Sequence, residues 1–377
     1  MATNETTGFH TSTAEKPLQV IDIDALRQTA EKLIPEGALG YIQGGAGDEW
    51  TMRQNTKAFN RKMIVPRVLA DLEKPELKTS IFGIELRMPV IMAPVAAHGL
   101  ANEAAEPGTA RGVAAAGTIM GISSYAGKSI AEIAEAGAGA PKWFQLYMSK
   151  DEGFNRHLLD QAVSHGAKAI ILTADATVGG NREADLRNHF TFPLPMANLA
   201  EYGQGKGQSI AEIYAQALQK IAPADIGKIA AYTGLPVIVK GVQSPEDAML
   251  AIGAGAAGIY VSNHGGRQLD GGPASFDVLA PIAEAVGKRV PVIFDSGIRR
   301  GQHIFKALAD GADIVAIGRP AIYGLAAGGW EGVKSVFDFF YKELAMVMQL
   351  AGTRTVDEIK NTRLLSRYKL TLENTFC

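Results

Sequence analysis

Eight short apolar segments recur along the chain, and a helical pattern of apolar and polar positions follows each of them. They cover residues 89–94, 118–123, 143–148, 169–175, 236–241, 258–263, 291–297 and 313–318. The segments are continuously apolar rather than alternating, which is typical of parallel strands buried on both faces. Glycines precede several of them, where the preceding helix would end.

This pattern predicts an α/β fold, a (β/α)8 TIM barrel in a single domain. An open, doubly wound parallel sheet is the alternative for such alternation of strands and helices. That fold commonly carries the G-x-G-x-x-G fingerprint after its first strand, and the fingerprint is missing here.

Several stretches lie outside the repeat. Residues 17–85 predict an N-terminal helical segment of two or three helices and a short hairpin. The interval 175–236 is rich in Pro, Gly and polar residues and predicts a long loop after strand 4, over the barrel mouth. We expect residues 1–16 to form a disordered tail and residues 17–377 to form a single domain.

Residues 331–352 predict an amphipathic helix that packs on the barrel or on another subunit. The positions on its apolar face are Val336, Phe337, Phe340, Leu344, Val347 and Met348.

Composition narrows the class of protein. The chain has 377 residues, 47% hydrophobic and 20% charged, with a formal net charge of -2, as in an ordinary globular enzyme. It has no basic run, so nucleic acid is not an expected partner. Its single cysteine, Cys377, excludes an intramolecular disulfide and a zinc site built from several cysteines. The polar N-terminus lacks the apolar core of a signal peptide, and no apolar window reaches membrane-spanning length. We therefore expect a cytoplasmic protein.

Polar side chains follow the ends of at least six predicted strands. In a barrel of this type the carboxyl ends of the strands carry the active site. Read strand by strand, the candidates are Ser123, Gln145, Tyr147, Thr173, Asp175, Lys240, Ser262, His264, Arg267, Asp295, Arg299, Gly318 and Arg319. This repetition indicates a lined cavity.

The last two strands end in "DSGIRRG" and "IGRP", which combine glycine with arginine where barrels commonly bind a phosphate. Glycine lets backbone N–H groups reach an anion, and a guanidinium can bind it through two hydrogen bonds. The alternative is a turn leading into a helix, with solvated arginines.

Three further residues indicate chemistry. Lys240 ends an apolar strand, where it needs an anionic or polar partner such as the reduced edge of a flavin; the alternative is that it extends to solvent. In the glycine-rich stretch "SNHGGRQLDGG", Arg267 can bind a carboxylate while His264 removes a proton nearby. The remaining histidines are scattered without ligand spacing, so we expect no metal site.

The chain resembles the FMN-dependent α-hydroxy acid oxidase and dehydrogenase family, most closely its L-lactate-oxidising branch. The motifs that carry the resemblance are "YIQGGAGDE", "MAPVAAHGL", "FQLY", "NREADLRN", "SNHGGRQLD" and "DSGIRRG", in this order. The similarity covers about residues 20–350.

The resemblance implies a role for each candidate. His264 would be the catalytic base and Asp175 its partner. The substrate carboxylate would be held by Tyr41, Arg182 and Arg267, with Tyr147 near the substrate hydroxyl. The FMN ring would lie against Pro94, Val95 and Ala96. Its polar edge would face Ser123, Gln145, Thr173, Lys240 and Ser262, its ribityl chain Asp295, and its phosphate Gly297, Arg299, Gly318 and Arg319.

The implied reaction is oxidation of L-lactate to pyruvate with reduction of O2 to hydrogen peroxide, in a homotetramer that needs neither a membrane nor nucleic acid. Tyr125 stands where glycolate-oxidising members often have Trp, which favours lactate. Lactate 2-monooxygenase activity, quinone-linked L-lactate dehydrogenation and oxidation of another small 2-hydroxy acid such as glycolate remain alternatives. A flavin-binding barrel without catalysis is the alternative from another class.

Overall fold

A computed structural model of the protein describes residues 8–200 and 207–366, and a closed barrel of eight parallel strands forms its centre. In chain order the strands are β1 (Val90–Val95), β2 (Met120–Ser123), β3 (Lys142–Leu146), β4 (Ile170–Thr173), β5 (Val237–Val242), β6 (Gly258–Val261), β7 (Val292–Phe294) and β8 (Ile314–Ile317). Each strand pairs with the next along the chain, and β8 closes onto β1 at Val315 and Val90. The predicted TIM barrel is confirmed, and the open-sheet alternative is wrong.

The strands are apolar throughout because both of their faces are buried. One set of strand side chains packs together inside the barrel, separately from the larger core that involves the surrounding helices. Its members include Ile91, Trp143, Ile171, Ile238, Tyr260, Ile293 and Ile314. The barrel is therefore filled by side chains at this level rather than open.

A hairpin that precedes the barrel covers its amino-terminal end. Thr79–Ile81 and Ile84–Leu86 pair antiparallel, with Phe82 and Gly83 at the turn. Both turn residues have positive φ, as a tight two-residue hairpin turn requires. The Phe82 ring contacts Trp143 edge-on at 5.8 Å between centroids, so the hairpin closes the end opposite the polar strand termini.

Helices surround the barrel and extend the chain on both sides of it. The α-helices are Ile23–Glu31, Glu36–Gln43, Trp50–Lys57, Ala105–Ala115, Ile130–Ala136, Glu152–Ser164, Glu183–Arg187, Ala197–Ala200, Ile210–Tyr214, Pro223–Thr233, Pro245–Gly253, Ser275–Val286, Gly301–Ala309, Arg319–Ala351 and Val356–Lys360. Two short 3-10 helices are Ala58–Arg61 and His98–Leu100, and Lys62–Met63 pairs with Leu365–Ser366 as a small antiparallel ribbon.

The first described residues lie against the rest of the chain. Ser12 O accepts a hydrogen bond from Glu103 N at 2.9 Å, and Lys16 N donates to Gly328 O at 3.1 Å. Asn102 donates through its side chain to Ala14 O at 3.1 Å. Residues 1–7 of the segment for which we expected disorder, and Cys377, lie outside the described residues. The three helices and the hairpin predicted for residues 17–85 are confirmed.

In its described residues, the interval after β4 contains three short helices before Pro223–Thr233 returns the chain to the barrel wall. Arg182, Ile210 and Tyr214 of this interval line the barrel mouth, which supports its predicted course. The helical pattern at 331–352 belongs to a longer helix, Arg319–Ala351, which bends at Gly328 and Gly329.

This long helix packs against Ile23–Glu31, Ala105–Ala115 and Gly301–Ala309. Five of its six predicted apolar-face residues are buried, and Val347 is half-buried. Packing on the barrel is therefore confirmed. The bend occurs where the N-terminal segment crosses, because a Cβ at Gly328 would lie 2.4 Å from Lys16 O.

The contact between Ala105–Ala115 and the long helix depends on a glycine. A Cβ at Gly112 would lie 2.5 Å from Trp330 O and 2.7 Å from the Val333 Cβ. We expect Gly112→Ala to lower the free energy of unfolding by about 1–3 kcal/mol, because the two helices must move apart. Gly253→Ala is the matched control. Gly253 is also a helical residue, the last one of Pro245–Gly253, and no atom lies near the position of its Cβ, so we expect no loss of stability. Urea unfolding of both variants checks this, and equal stability of the two would contradict it.

Candidate active site

One deep cavity of about 990 Å³ opens at the carboxyl ends of the strands. Most of the predicted site residues line it: Tyr41, Pro94, Val95, Ala96, Ser123, Tyr147, Arg182, Lys240, His264, Arg267, Asp295, Gly297, Arg299, Gly318 and Arg319. Gln145, Thr173, Asp175 and Ser262 lie one layer behind, each hydrogen-bonded to a lining residue or to one another. The structure thus brings together all the residues that the sequence predicted.

The loop after β6 takes a backbone course that presents His264. Residues 264, 265 and 266 all have positive φ, which glycine adopts freely and histidine rarely does. Gly266 is required by contact as well, because a Cβ there would lie 2.5 Å from Met52 Cα. Left-handed backbone at a non-glycine residue is common at functional sites, where the surrounding structure enforces it.

A buried amide pair fixes this loop to the helix Trp50–Lys57. Asn55 Nδ2 donates to Asn263 Oδ1 at 2.8 Å, and Asn263 Nδ2 donates back to Asn55 Oδ1 at 2.7 Å. Asn263 Oδ1 also accepts from Gly266 N at 3.0 Å. Both side chains are almost fully buried. Sequence reasoning missed this pair, since neither asparagine lies in a pattern that marks a side-chain contact.

The His264 imidazole lies between a carboxylate and a phenol. Its Nδ1 is 3.1 Å from Asp175 Oδ1, and its Nε2 is 3.2 Å from the Tyr147 hydroxyl. Because the carboxylate only accepts, Nδ1 carries the proton of the neutral ring and Nε2 is free to accept one. Gly241 makes room for Asp175: a Cβ at this glycine would lie 2.5 Å from the Asp175 Cβ.

Burial and nearby charges set the protonation states of this group. Burial, reinforced by the charge of Lys240, lowers the pKa of His264 below its ordinary value of 6.5, although Asp175 opposes the shift. Burial alone would raise the pKa of Asp175, but His264 and Lys240 together lower it. Burial raises the pKa of the Tyr147 phenol well above 10. The site therefore holds a neutral imidazole, an ionised carboxylate and a protonated phenol near neutral pH.

Two arginines flank the Tyr41 ring beside His264. The guanidinium of Arg267 lies 5.0 Å from the ring centroid and that of Arg182 lies 5.7 Å from it. Arg267 donates to Tyr41 O at 2.7 Å and to Gly44 O at 2.9 Å. Arg182 Nε and Nη1 are buried without a hydrogen-bond partner among residues 8–200 and 207–366. Buried donors of this kind favour an anionic ligand.

Asp185 is an acidic residue close to Arg182 and Arg267. Its carboxylate is 5% exposed, and neither oxygen has a hydrogen-bond partner within the described chain. Burial raises the pKa of Asp185, while Arg267 and Arg182 partly oppose the shift. Asp185 thus leaves the buried donors of Arg182 unsatisfied within the described residues.

Three tyrosines form one wall of the cavity. Tyr125 and Tyr147 stack at 4.6 Å between centroids, and Tyr214 meets Tyr147 edge-on at 6.1 Å. Tyr214 comes from the helix Ile210–Tyr214 in the long interval after β4. Sequence reasoning missed this residue. The capping box of Ser209 and Glu212 indicates that a helix begins here, but it does not show which side chains of that helix face the cavity.

Deeper in the barrel, a row of polar side chains crosses neighbouring strands. Ser123 donates to Gln145 Oε1 at 3.2 Å, and Gln145 Nε2 donates to Thr173 at 2.9 Å. Lys240, 4% exposed, donates to Ser262 Oγ at 3.2 Å. Lys240 does not extend to solvent, so that alternative is wrong. A buried ammonium with one neutral partner indicates that an anionic or polar ligand completes its environment.

Two further arginines, Arg299 and Arg319, line the cavity. Arg319 begins the long helix after Gly318 and donates to the carbonyls of Ile42, Gly44 and Gly265, each at 3.0 Å. Burial, with the nearby Arg267, lowers the pKa of Arg319 to about 9. Burial also lowers the pKa of Arg299. Neither arginine is solvated on the surface, so the alternative of solvated turn arginines is wrong.

Comparison with known proteins assigns the cavity. The family model for FMN-dependent dehydrogenases matches residues 30–366. The chain belongs to the FMN-dependent dehydrogenase family. Its cofactor is FMN.

Three relatives show how close the likeness is. The chain is 60% identical to an L-lactate oxidase of Lentilactobacillus hilgardii over 361 residues, which cover 95% of this chain and 98% of that protein. It is 39% identical to the glycolate oxidase of Spinacia oleracea, over 92% of this chain and 96% of the other. A crystal structure of a Pediococcus acidilactici lactate oxidase superposes with a TM-score of 0.92 at 59% identity, covering 96% and 98% of the two chains.

The residues present fit FMN of this family. The cavity combines apolar walls with a few polar and charged groups, as cofactor sites commonly do. Arg299, together with Gly318 and Arg319 at the N-terminus of the long helix, suits the phosphate of FMN. Lys240 with its polar neighbours suits the edge of the flavin ring that gains negative charge on reduction. The apolar wall of Pro94, Val95 and Ala96 suits a flat ring.

Two absences concern the described residues alone. Within residues 8–200 and 207–366, no group of three or more His, Cys, Asp or Glu side chains could hold a metal ion. In the same ranges, every helix is too short or too polar to cross a bilayer.

We expect Arg319→Ala to weaken FMN binding more than riboflavin binding, because only FMN carries the phosphate. Loss of a charged donor to the phosphate predicts about a tenfold to hundredfold increase in the Kd for FMN. Fluorescence titration of the apoprotein with both flavins measures the difference. Arg187→Ala, which removes an arginine side chain that is 74% exposed, is the control. An equal loss of affinity for both flavins would contradict phosphate binding by Arg319.

Proposed function

We propose that this protein oxidises L-lactate to pyruvate and reduces O2 to hydrogen peroxide, with the cavity residues acting in the roles given below. The observation that supports it most directly is the placement of His264 beside two arginines in a small cavity walled by tyrosines. A 2-hydroxy acid presents a carboxylate next to its reacting carbon, which matches this spacing of cation and base. The 60% identity to an L-lactate oxidase supports lactate as the substrate.

The carboxylate of lactate is bound by Arg182 and Arg267, with Tyr41 between them. The unpartnered donors of Arg182 provide a hydrogen-bonding site for it. Carboxylate binding orients the hydroxyl-bearing carbon toward His264. Tyr147, whose hydroxyl already reaches His264 Nε2, is placed to hydrogen-bond the substrate hydroxyl. The tyrosine wall leaves room for a methyl group and disfavours longer side chains.

His264 Nε2 receives one of the two protons that the substrate gives up, and the other would leave with the two electrons that bound FMN accepts and passes to O2. Asp175 holds the opposite nitrogen of the ring, so it keeps Nε2 free to accept and stabilises the imidazolium that forms. When bound, FMN accepts the two electrons from the substrate and passes them to O2. Pro94, Val95 and Ala96 would support its ring, and Ser123, Gln145, Thr173, Lys240 and Ser262 its polar edge. Asp295 would contact the ribityl chain, and Gly297, Arg299, Gly318 and Arg319 the phosphate.

We also propose a homotetramer that acts in the cytoplasm, with residues 17–377 as one domain. An exposed apolar surface supports association of subunits: Val68 is 84% exposed, Leu69 100% and Leu350 63%. These residues lie close together, since Arg67 N donates to Leu350 O at 3.2 Å. Apolar surface of this kind commonly marks an interface.

The ratio of hydrogen peroxide formed to O2 consumed tests the proposed reaction. We expect one peroxide and one pyruvate for each O2, because two electrons and two protons leave each lactate. A lactate 2-monooxygenase would instead form acetate and carbon dioxide without peroxide. A quinone-linked dehydrogenase would reduce O2 poorly, and a binding protein would leave the flavin oxidised under anaerobic lactate. Glycolate, assayed in parallel, checks the choice of substrate.

The pH dependence of anaerobic flavin reduction tests the role of His264. The imidazole must be neutral to accept a proton, and its pKa is lowered, so the rate should fall only below about pH 6.5. Asp175→Asn removes the interactions that raise this pKa, so the acidic limb should move to lower pH while the maximal rate falls. His264→Gln should abolish the limb and slow reduction by about 10²–10⁴. An unchanged profile in His264→Gln would exclude His264 as the base.

A further inference from the structure

A buried carboxylate outside the reacting groups joins two of the loops that form the barrel mouth. Glu106 lies in the first turn of the helix Ala105–Ala115 and is 1% exposed. In the part of the chain that the structure describes, it forms no ion pair with Lys or Arg. An ionised carboxylate in such surroundings is costly unless hydrogen bonds compensate it.

One oxygen of this carboxylate accepts two backbone hydrogen bonds. His98 N donates to Glu106 Oε1 at 2.9 Å, and Gly127 N donates to the same atom at 2.8 Å. His98 belongs to the loop after β1 and Gly127 to the loop after β2. The two loops also meet directly, where Ala97 N donates to Tyr125 O at 3.1 Å. Glu106 Oε1 therefore connects the two loops through one acceptor atom, beside this direct bond between them.

Each of these loops carries a residue that faces the ligand. Ala96 lies two residues before His98, and Tyr125 lies two residues before Gly127; both line the cavity. Between Ala96 and His98, Ala97 has a φ of 51°, a left-handed conformation that alanine adopts only under constraint. The bond from His98 N to Glu106 holds the chain in this conformation, and so fixes where Ala96 lies.

The loop after β2 in turn holds the interval that follows β4. Asn198 Nδ2 donates to Ser124 O at 3.2 Å, and Ala197 N donates to Ala126 O at 3.2 Å. A shift of this loop would therefore move both the tyrosine wall and the segment that covers it.

We propose that Glu106 is a positioning residue that fixes the distance between Ala96 and Tyr125, and thereby limits the size of the 2-hydroxy acid side chain that the site accepts. This inference rests on the proposed oxidation of lactate. We attribute the positioning of the two loops to the Glu106 oxygen that accepts both hydrogen bonds, and not to the charge of the carboxylate. The His98 ring is engaged elsewhere, since its Nδ1 bonds to Thr109 Oγ1 at 2.8 Å, and burial lowers its pKa below the ordinary value of 6.5.

Two substitutions separate reach from charge. Glu106→Asp keeps the charge but withdraws the carboxylate by one methylene, so it cannot hold both loops in place. Glu106→Gln removes the charge but keeps a carbonyl oxygen that can accept both bonds. The measured quantity is the ratio of kcat/KM for L-lactate to kcat/KM for L-2-hydroxybutyrate, determined on FMN-loaded protein. Asp313→Asn is the matched control, because Asp313 Oδ2 also accepts a backbone bond, from Val292 N at 2.8 Å, at the opposite end of the barrel.

We expect Glu106→Asp to lower this ratio by about fivefold or more, since one methylene is the smallest difference that a pocket distinguishes. Glu106→Gln and Asp313→Asn should stay within about twofold of the wild type. A lowered ratio in Glu106→Gln with an unchanged ratio in Glu106→Asp would show that charge, not reach, matters, and would overturn the proposal. Equal losses in both variants would show that an acceptor oxygen at full reach is not sufficient, and would overturn it as well. An unchanged ratio in Glu106→Asp would overturn it too. A wild type that oxidises no 2-hydroxy acid would instead refute the proposed function, independently of Glu106.

Discussion

An excess of positive charge inside one cavity is the constraint around which the mouth of this barrel is built. Lys240, Arg182, Arg267, Arg299 and Arg319 all line the same space, and of the acidic residues Asp295 alone lines it among the described residues, with Asp175 and Asp185 close by. Cations are costly to remove from water without anionic partners. The fold meets this cost in part with backbone carbonyls, which accept from Arg267 and Arg319. The remaining complement must come from ligands, and in our proposal a cofactor phosphate and a substrate carboxylate supply it.

The neutral imidazole follows from the same constraint. Burial and the positive charge of Lys240 both disfavour a second cation at His264, while Asp175 prepares the ring to become one. A base that is neutral at rest and stabilised when charged suits proton removal. The cationic cavity thus serves two purposes: it binds anions, and it keeps the base in its active form.

Much of the barrel could be predicted from sequence because the signal is local. Strands buried on both faces must be continuously apolar, and eight such segments are visible without any knowledge of contacts. The path of residues 8–16 and the bend at Gly328 could not be predicted in this way. Both depend on a contact between residues more than 300 positions apart, such as Lys16 and Gly328. The pattern of apolar and polar residues near one of them does not indicate that it contacts the other.

The site residues, too, include some that local sequence predicts and others that depend on contacts distant in sequence. Residues that end strands, such as Lys240, could be predicted because the fold class fixes where strand ends meet. The roles assigned to Tyr41 and Arg182 came from resemblance alone. Asn55, Tyr214 and Glu106 escaped prediction because each acts through a tertiary contact with a loop.

The helix Glu36–Gln43 has a consequence for how the two halves of the cavity communicate. Gly44 O, just beyond the end of this helix, accepts hydrogen bonds from both Arg267 and Arg319. A single peptide group therefore restrains two guanidiniums, the one that we propose for the substrate carboxylate and the one that we propose for the phosphate. A ligand that draws either arginine away changes the hydrogen bonding of the other through this shared carbonyl.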